Sequence, residues 1–203
     1  MQFKPAQIIS ILFHPLLVPT YLLLILSSLN THHVLTMPLQ YRLLLIVFVF
    51  LTTFMLPALI LIILRKFGVV KSLEMHERQE RALPLIIVSA FFYLTYYLLK
   101  QMEQNSLFTL FMIGATMLVL LCLIINYFTK VSIHATSWGG FLGAFMGFSL
   151  NFQVDVTLWL YAIILITGMV ATARLILKAH TVAQVYGGFL LGSISQLLLF
   201  YYV

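Results

Sequence analysis

Three polar stretches of this sequence carry side chains able to handle a phosphate. Lys71 and Arg78 lie in the first, Ser132 and His134 in the second, and Arg174, His180 and Gln184 in the third. Fixed cations, a hydroxyl and two imidazoles gathered in one place suit a phosphate monoester. Guanidinium forks and a lysine point charge bind phosphate oxygens and hold the charge that spreads over them in the transition state. One imidazole can attack phosphorus while the other protonates the leaving oxygen. The cations do the work a metal would otherwise do, so this chemistry asks for no metal and no other cofactor.

The order and spacing of these residues resemble those of the type 2 phosphatidic acid phosphatase superfamily, relatives of the vanadium haloperoxidases. That family carries K-x6-R-P, then P-S-G-H, then S-R-x5-H-x3-D. Here the sequence reads Lys71-x6-Arg78, then Val131-Ser132-Ile133-His134, then Ala173-Arg174-x5-His180-x3-Gln184. The resemblance spans residues 71–184 and implies that His180 is the nucleophile, forming a phosphohistidine. It implies that His134 is the acid for the leaving alcohol, and that Lys71, Arg78, Arg174 and Ser132 cradle the phosphate. Gln79 stands where the family has proline, and Arg81 with Pro84 offers another register. Ile133 replaces a glycine, Ala173 a serine, and Gln184 the aspartate that orients the nucleophilic histidine. A glutamine oxygen still accepts from an imidazole and fixes its tautomer, but it supplies no charge to an imidazolium. The expected activity is hydrolysis of a phosphatidate-like or isoprenyl phosphate or diphosphate. The alternative is a protein of the same fold that binds or transports a lipid phosphate without turning it over.

Composition fixes where such a site must sit. Hydrophobic residues are 63% of the 203 and charged residues 8%, against roughly 45–50% and about 25% in soluble proteins. So few charges cannot coat a soluble domain of this size. A soluble enzyme, a disordered chain and a nucleic-acid-binding domain are excluded. The net charge of +6 speaks for membrane orientation or an anionic ligand. The lone Cys122 lies in an apolar run and gives neither a disulfide framework nor a thiolate metal site. The partners expected are membrane lipids with a phosphate headgroup; no protein partner is legible.

Hydropathy predicts an all-α membrane bundle of six to seven spans in a single domain over 1–203. The segments are 8–29, 42–64, 84–99, 107–128, 134–150, 156–173 and 183–203, the fifth being the weakest candidate for a full crossing. The first segment is read as a retained span, because its apolar run is too long for a cleavable signal. On this count the connections Arg65–Arg81, Lys130–His134 and Arg174–His180 share one membrane face with the N-terminus. All of the eleven Lys and Arg except Arg42 and Lys100 fall there. Basic loops favour the cytoplasm, whereas the family resemblance places the site on the other side. The compact apolar design suggests a bacterial inner membrane.

Ala135, Gly139, Gly143 and Gly147 recur every four residues, as do His180, Gln184, Gly188 and Gly192. Small residues at that stride let helices approach closely in lipid, and a crossing here would bring His134 and His180 together. His14, followed by Pro15, is expected to bond a neighbouring helix or to line the pocket. Asn126 is expected to satisfy a helix end or reach the pocket, and Lys178 to act as an anchor or a second phosphate contact. His32 and His33 are expected on the opposite face, in solvent. His76-Glu77-Arg78-Gln79-Glu80 lacks the second histidine of a zinc-binding H-E-x-x-H. It reads instead as a short amphipathic helix with Glu77 and Arg81 paired. The aromatic residues are expected mostly toward lipid or the interface, with Trp159, Tyr161, Tyr201 and Tyr202 in an aromatic belt.

Overall fold

A computed structural model describes residues 4–29, 38–70, 78–102 and 106–202. Every regular element among them is helical: α1 (Lys4–Leu12), α2 (Val18–Ser28), α3 (Leu39–Phe50), α4 (Leu56–Lys66), α5 (Ala82–Gln101), α6 (Ser106–Asn126), α7 (Ile133–Phe152), α8 (Thr157–Ile176) and α9 (Val182–Tyr202). Among the described residues six helical stretches are long and apolar enough to cross a membrane: Lys4–Ser28, Leu39–Lys66, Gln79–Gln101, Leu107–Asn126, Thr157–Ile176 and Val182–Tyr202. At about 1.5 Å per residue, 20 residues cover about 30 Å, the thickness of a bilayer's hydrocarbon core. The segments expected at 84–99 and 156–173 are therefore longer than hydropathy suggested. The chain is a multi-pass helical membrane protein.

The remaining helix, α7, has 20 residues as well but is less apolar, because it is built from glycine, serine, threonine and histidine among its aromatics. Its burial accounts for that composition. Gly139, Gly143 and Gly147 lie on one side, and Trp138, Phe141, Phe145 and Phe148 are also buried, so protein covers it on more than one face. A helix buried all round needs no lipid-facing stripe.

The chain forms two compact units, Met1–Val18 with Lys130–Val203, and Pro19–Thr129. In the first unit α7 packs along α9. A methyl group built on Gly139 would strike the Phe189 carbonyl, one on Gly143 the Ser193 carbonyl, and one on Gly147 the Leu197 carbonyl at 2.8 Å. The offset is constant, so the two helices run parallel, with both N-termini at one end. Gly188 and Gly192 answer from α9: a methyl on either would meet Thr136. The close crossing expected from the four-residue stride is thus present. Edge-to-face and tilted contacts link Trp138, Phe141, Phe145, Phe148 and Phe152 in series along α7. Trp138, Phe141, Phe145 and Phe148 are buried, so α7 is the exception to an expectation of mostly lipid-facing or interfacial aromatics. Tyr161, Tyr201 and Tyr202 are exposed as expected.

In the second unit α5 packs on α6. The span Leu39–Lys66 is interrupted by a π-turn at Leu51–Met55, just before Pro57. Proline has no N–H to give the carbonyl four residues back, and a wider turn accommodates the gap. Arg42, one of the two cations away from the polar stretches, donates from Nη1 to the Ser27 carbonyl at 3.1 Å, at the end of α2. A cation suits the negative end of a helix dipole.

Candidate functional site

His180 sits in the five-residue connection between α8 and α9, and both sides of that connection are locked. On the α8 side, Lys178 N–H donates to the Leu175 carbonyl at 2.9 Å and Ala179 N–H to the Arg174 carbonyl at 3.2 Å. This is a Schellman end, with Lys178 in the left-handed region at φ 53°. The backbone of Lys178 thus turns the chain toward His180. Glycine is the usual residue there, and a lysine carries strain of about 1–2 kcal/mol.

On the α9 side, Gln184 N–H donates to the Thr181 hydroxyl and Thr181 N–H donates to Gln184 Oε1, each at 3.3 Å. That reciprocal pair is a capping box, T-x-x-Q. It has a chemical consequence. A backbone N–H can only donate, so it holds the amide oxygen of Gln184 in place. The same oxygen lies 3.0 Å from His180 Nδ1 and can only accept, so Nδ1 carries the proton. In the neutral ring the lone pair is then on Nε2.

Ser132 opens α7 as its N-cap, its hydroxyl accepting from Ala135 N–H at 3.4 Å. It is fully buried. Its own N–H donates to the Gln184 carbonyl at 3.1 Å, which ties the start of α7 to the first turn of α9. Its carbonyl accepts from both the amide and the hydroxyl of Thr136, at 2.8 and 2.9 Å. The structure therefore gives Ser132 the work of a helix cap at the junction.

His134 lies one residue into α7 and points at the break in the first span. That span ends its first helix at Leu12, and a 3-10 turn over Pro15–Leu17 leads into α2. Because the helix stops, carbonyls near its end need new donors. His134 Nε2 lies 3.2 Å from the Ser10 carbonyl, and Trp138 Nε1 donates to the Phe13 carbonyl at 3.0 Å. A carbonyl cannot donate, so Nε2 of His134 is the protonated nitrogen in that bond. His14 caps the 3-10 turn: its Nδ1 accepts from Leu16 N–H at 3.3 Å. Its ring meets that of His134 edge to face, with centroids 5.4 Å apart. Arg174, in the last turn of α8, donates from Nη1 to the Ser10 hydroxyl at 3.4 Å. Arg174, His14 and His180 all lie within electrostatic reach of the His134 ring.

The first unit thus gathers His14, Ser132, His134, Arg174, His180 and Gln184, with the N-termini of α7 and α9 at the same end. In the second unit Arg78 donates from Nη1 to the Phe128 carbonyl at 2.8 Å, and Asn126 Nδ2 donates to the Arg78 carbonyl at 2.9 Å. Asn126 therefore bonds the backbone at the start of the 3-10 turn over Gln79–Arg81. Arg81 is 5% exposed, at the end of a 3-10 turn over Gln79–Arg81. Lys71, His76 and Glu77, and with them the expected Glu77–Arg81 pair, fall outside the described residues, as do His32 and His33.

Ser10, Trp138 and Thr181 belong to the site, and sequence reasoning passed over them. Thr181 had a signal, because T-V-A-Q ahead of an apolar run spells a capping box. Ser10 and the Trp138 contact had none, because both depend on where the first helix breaks.

Among the described residues no three His, Cys, Asp or Glu side chains are grouped to hold a metal ion. The arrangement sets an oriented imidazole, that of His180, in the same unit as the Arg174 guanidinium, with the N-termini of α7 and α9 at one end. Set beside models of protein families, curated proteins and solved structures, the chain matches none of them.

Proposed function

We propose that the protein is a lipid-phosphate phosphatase of the multi-pass membrane type, acting on a phosphatidate-like or isoprenyl phosphate or diphosphate without a metal. The observation that carries this reading is the chain Thr181 N–H, Gln184 Oε1, His180 Nδ1, which leaves the His180 lone pair on Nε2. The motif spacing over residues 71–184 supports it too, as does a site among apolar spans, where a lipid tail needs no extraction. A bacterial inner membrane is the setting we attach to it, on the composition alone.

In this reading Arg174 and the two helix N-termini hold the phosphate. His180 Nε2 forms a bond to phosphorus as the bond from phosphorus to the lipid oxygen breaks. With the phosphate's negative charge in place to offset Arg174, His134 takes up a proton at Nδ1 and gives it to the leaving oxygen, Nε2 staying on the Ser10 carbonyl. Water then attacks the phosphohistidine, gives a proton back to His134, and frees phosphate and the His180 lone pair.

Phosphate release by detergent-purified protein tests the proposal, with phosphatidate and isoprenyl mono- and diphosphates as substrates and EDTA present. His180→Ala is expected to lose at least about 10³-fold in rate, and Gln184→Glu, which keeps both hydrogen bonds and adds charge, to gain about tenfold or more. Undiminished release by His180→Ala overturns the mechanism. The neutral Gln184 favours one second reading, a lipid-phosphate binder or transporter. It predicts no release by the wild type, with headgroup binding that Arg174→Gln abolishes.

A further inference from the structure

The proposed site handles a headgroup; beside it runs a groove with the character of a tail site. The groove lies between α1 and α8, has a volume of about 580 Å³, and is lined by Ala6 and Ile9 on one wall and Leu165, Gly168, Thr172 and Ala173 on the other. Apart from the Thr172 hydroxyl these side chains are apolar. Leu165 and Gly168 are exposed, so the groove opens on the outer surface of a membrane-crossing helix. Its lining extends along α8 from Ile164 to Ile176, about 18 Å of helix rise.

Two of its residues fix its relation to the cations. Ile9 and Ala173 are the immediate chain neighbours of Ser10 and Arg174, whose side chains meet at 3.4 Å. The groove thus comes within one residue of the Ser10–Arg174 contact on both α1 and α8, while the guanidinium itself lies outside the groove's lining. A hydrocarbon chain alone would have no use for the arginine, and a soluble phosphate none for the groove. A molecule with both parts is complementary to both.

We propose that the groove between α1 and α8 holds a hydrocarbon chain of a phosphate-headed lipid whose phosphate lies at Arg174. This rests on the headgroup reading above and adds where the tail goes. Gly168 is the residue that keeps the space open: a methyl built on it meets no atom within 4 Å. A large side chain there enters the groove with no clash at its first carbon, and glycine is a poor helix former to begin with.

The test is binding of three probes to the full chain in phosphatidylcholine nanodiscs: dioleoyl phosphatidate, dibutyryl phosphatidate and dioleoylglycerol. Gly168→Phe is expected to weaken dioleoyl phosphatidate at least tenfold while leaving dibutyryl phosphatidate within twofold, and Gly168→Ala to change neither. Leu165→Trp, at another exposed groove position, repeats the test should Gly168→Phe fail to fold. Arg174→Gln is expected to weaken both phosphatidates. Loss of both phosphatidates in Arg174→Gln with neither affected by the groove variants overturns the tail site and leaves the headgroup reading standing. Dioleoylglycerol binding as tightly as dioleoyl phosphatidate, or indifference of both phosphatidates to Arg174→Gln, overturns the headgroup reading itself.

Discussion

The first and second spans are both broken by a proline, yet they repair the break in opposite ways. In the second, the π-turn at Leu51–Met55 and the hydroxyls of Thr52 and Thr53 do the work within the same helix. Thr52 donates to the Phe48 carbonyl at 2.9 Å and Thr53 to the Val49 carbonyl at 2.8 Å. In the first, the Ser10 and Phe13 carbonyls are served by His134 and Trp138, from a helix far along the chain. Backbone irregularity at membrane depth survives only where its polar groups find partners. A local repair makes a bend and nothing more. A repair made by another helix's imidazole fixes that imidazole's tautomer and place, and so couples the shape of the span to the chemistry of the site.

The strongest way to break this contrast is to separate the donors from the first span. Gly143→Val drives a side chain into the Ser193 carbonyl and should destabilise the protein by about 3 kcal/mol or more, read as unfolding in denaturant. A fully stable variant would show that the crossing of α7 and α9 is not what holds His134 in position.

A gentler pair sharpens it. Trp138→Phe removes the indole donor from the Phe13 carbonyl and should cost about 1–3 kcal/mol. Thr53→Val removes a hydroxyl whose carbonyl partner stays in a helix and should cost less than about 1 kcal/mol. Equal losses in thermal unfolding would erase the distinction between distant and local repair.

The smallest effect lies far from both breaks. Asp155 is exposed, and its carboxyl is held below the usual range by hydrogen bonds from the backbone and then the side chain of Thr157. A lowered folded value means that its contribution is complete above the ordinary carboxylate pKa and is lost as pH falls through the lowered one. Asp155→Asn should flatten that part of the stability–pH curve slightly and leave the first span untouched. A steeper curve in the variant would reverse the sign.

Hydropathy made most of the spans legible, and the four-residue stride of Gly139, Gly143 and Gly147 made the α7–α9 crossing legible before any coordinates. Both are repeated signals, averaged over many residues. The lengths at 84–99 and 156–173 came out short because polar residues at span ends dilute a window without ending a helix. His134, Arg174, His180 and Gln184 were legible as a group from type and spacing. Their supporting bonds were less so. Gln184 was read only as a replaced aspartate, although its place three residues after Thr181 also spells a cap. The span 8–29 was read as unbroken despite Pro15, and nothing in the sequence says which side chain will answer a freed carbonyl. The buried rings of α7 could not be told apart from the mostly lipid-facing ones, because lipid and protein interior are equally apolar and hydrophobicity does not separate them.

The distant repair of the first span also imposes an order in time. The donors to Ser10 and Phe13 are made 124 and 125 residues after the carbonyls they serve. A buried carbonyl without a donor is costly, and a growing chain that has reached only Thr129 lacks the two donors that the Ser10 and Phe13 carbonyls have in the finished fold. Until α7 is made, water or the chain's own amides must meet those two carbonyls. The repair of this break is therefore made only after α7 has been synthesised.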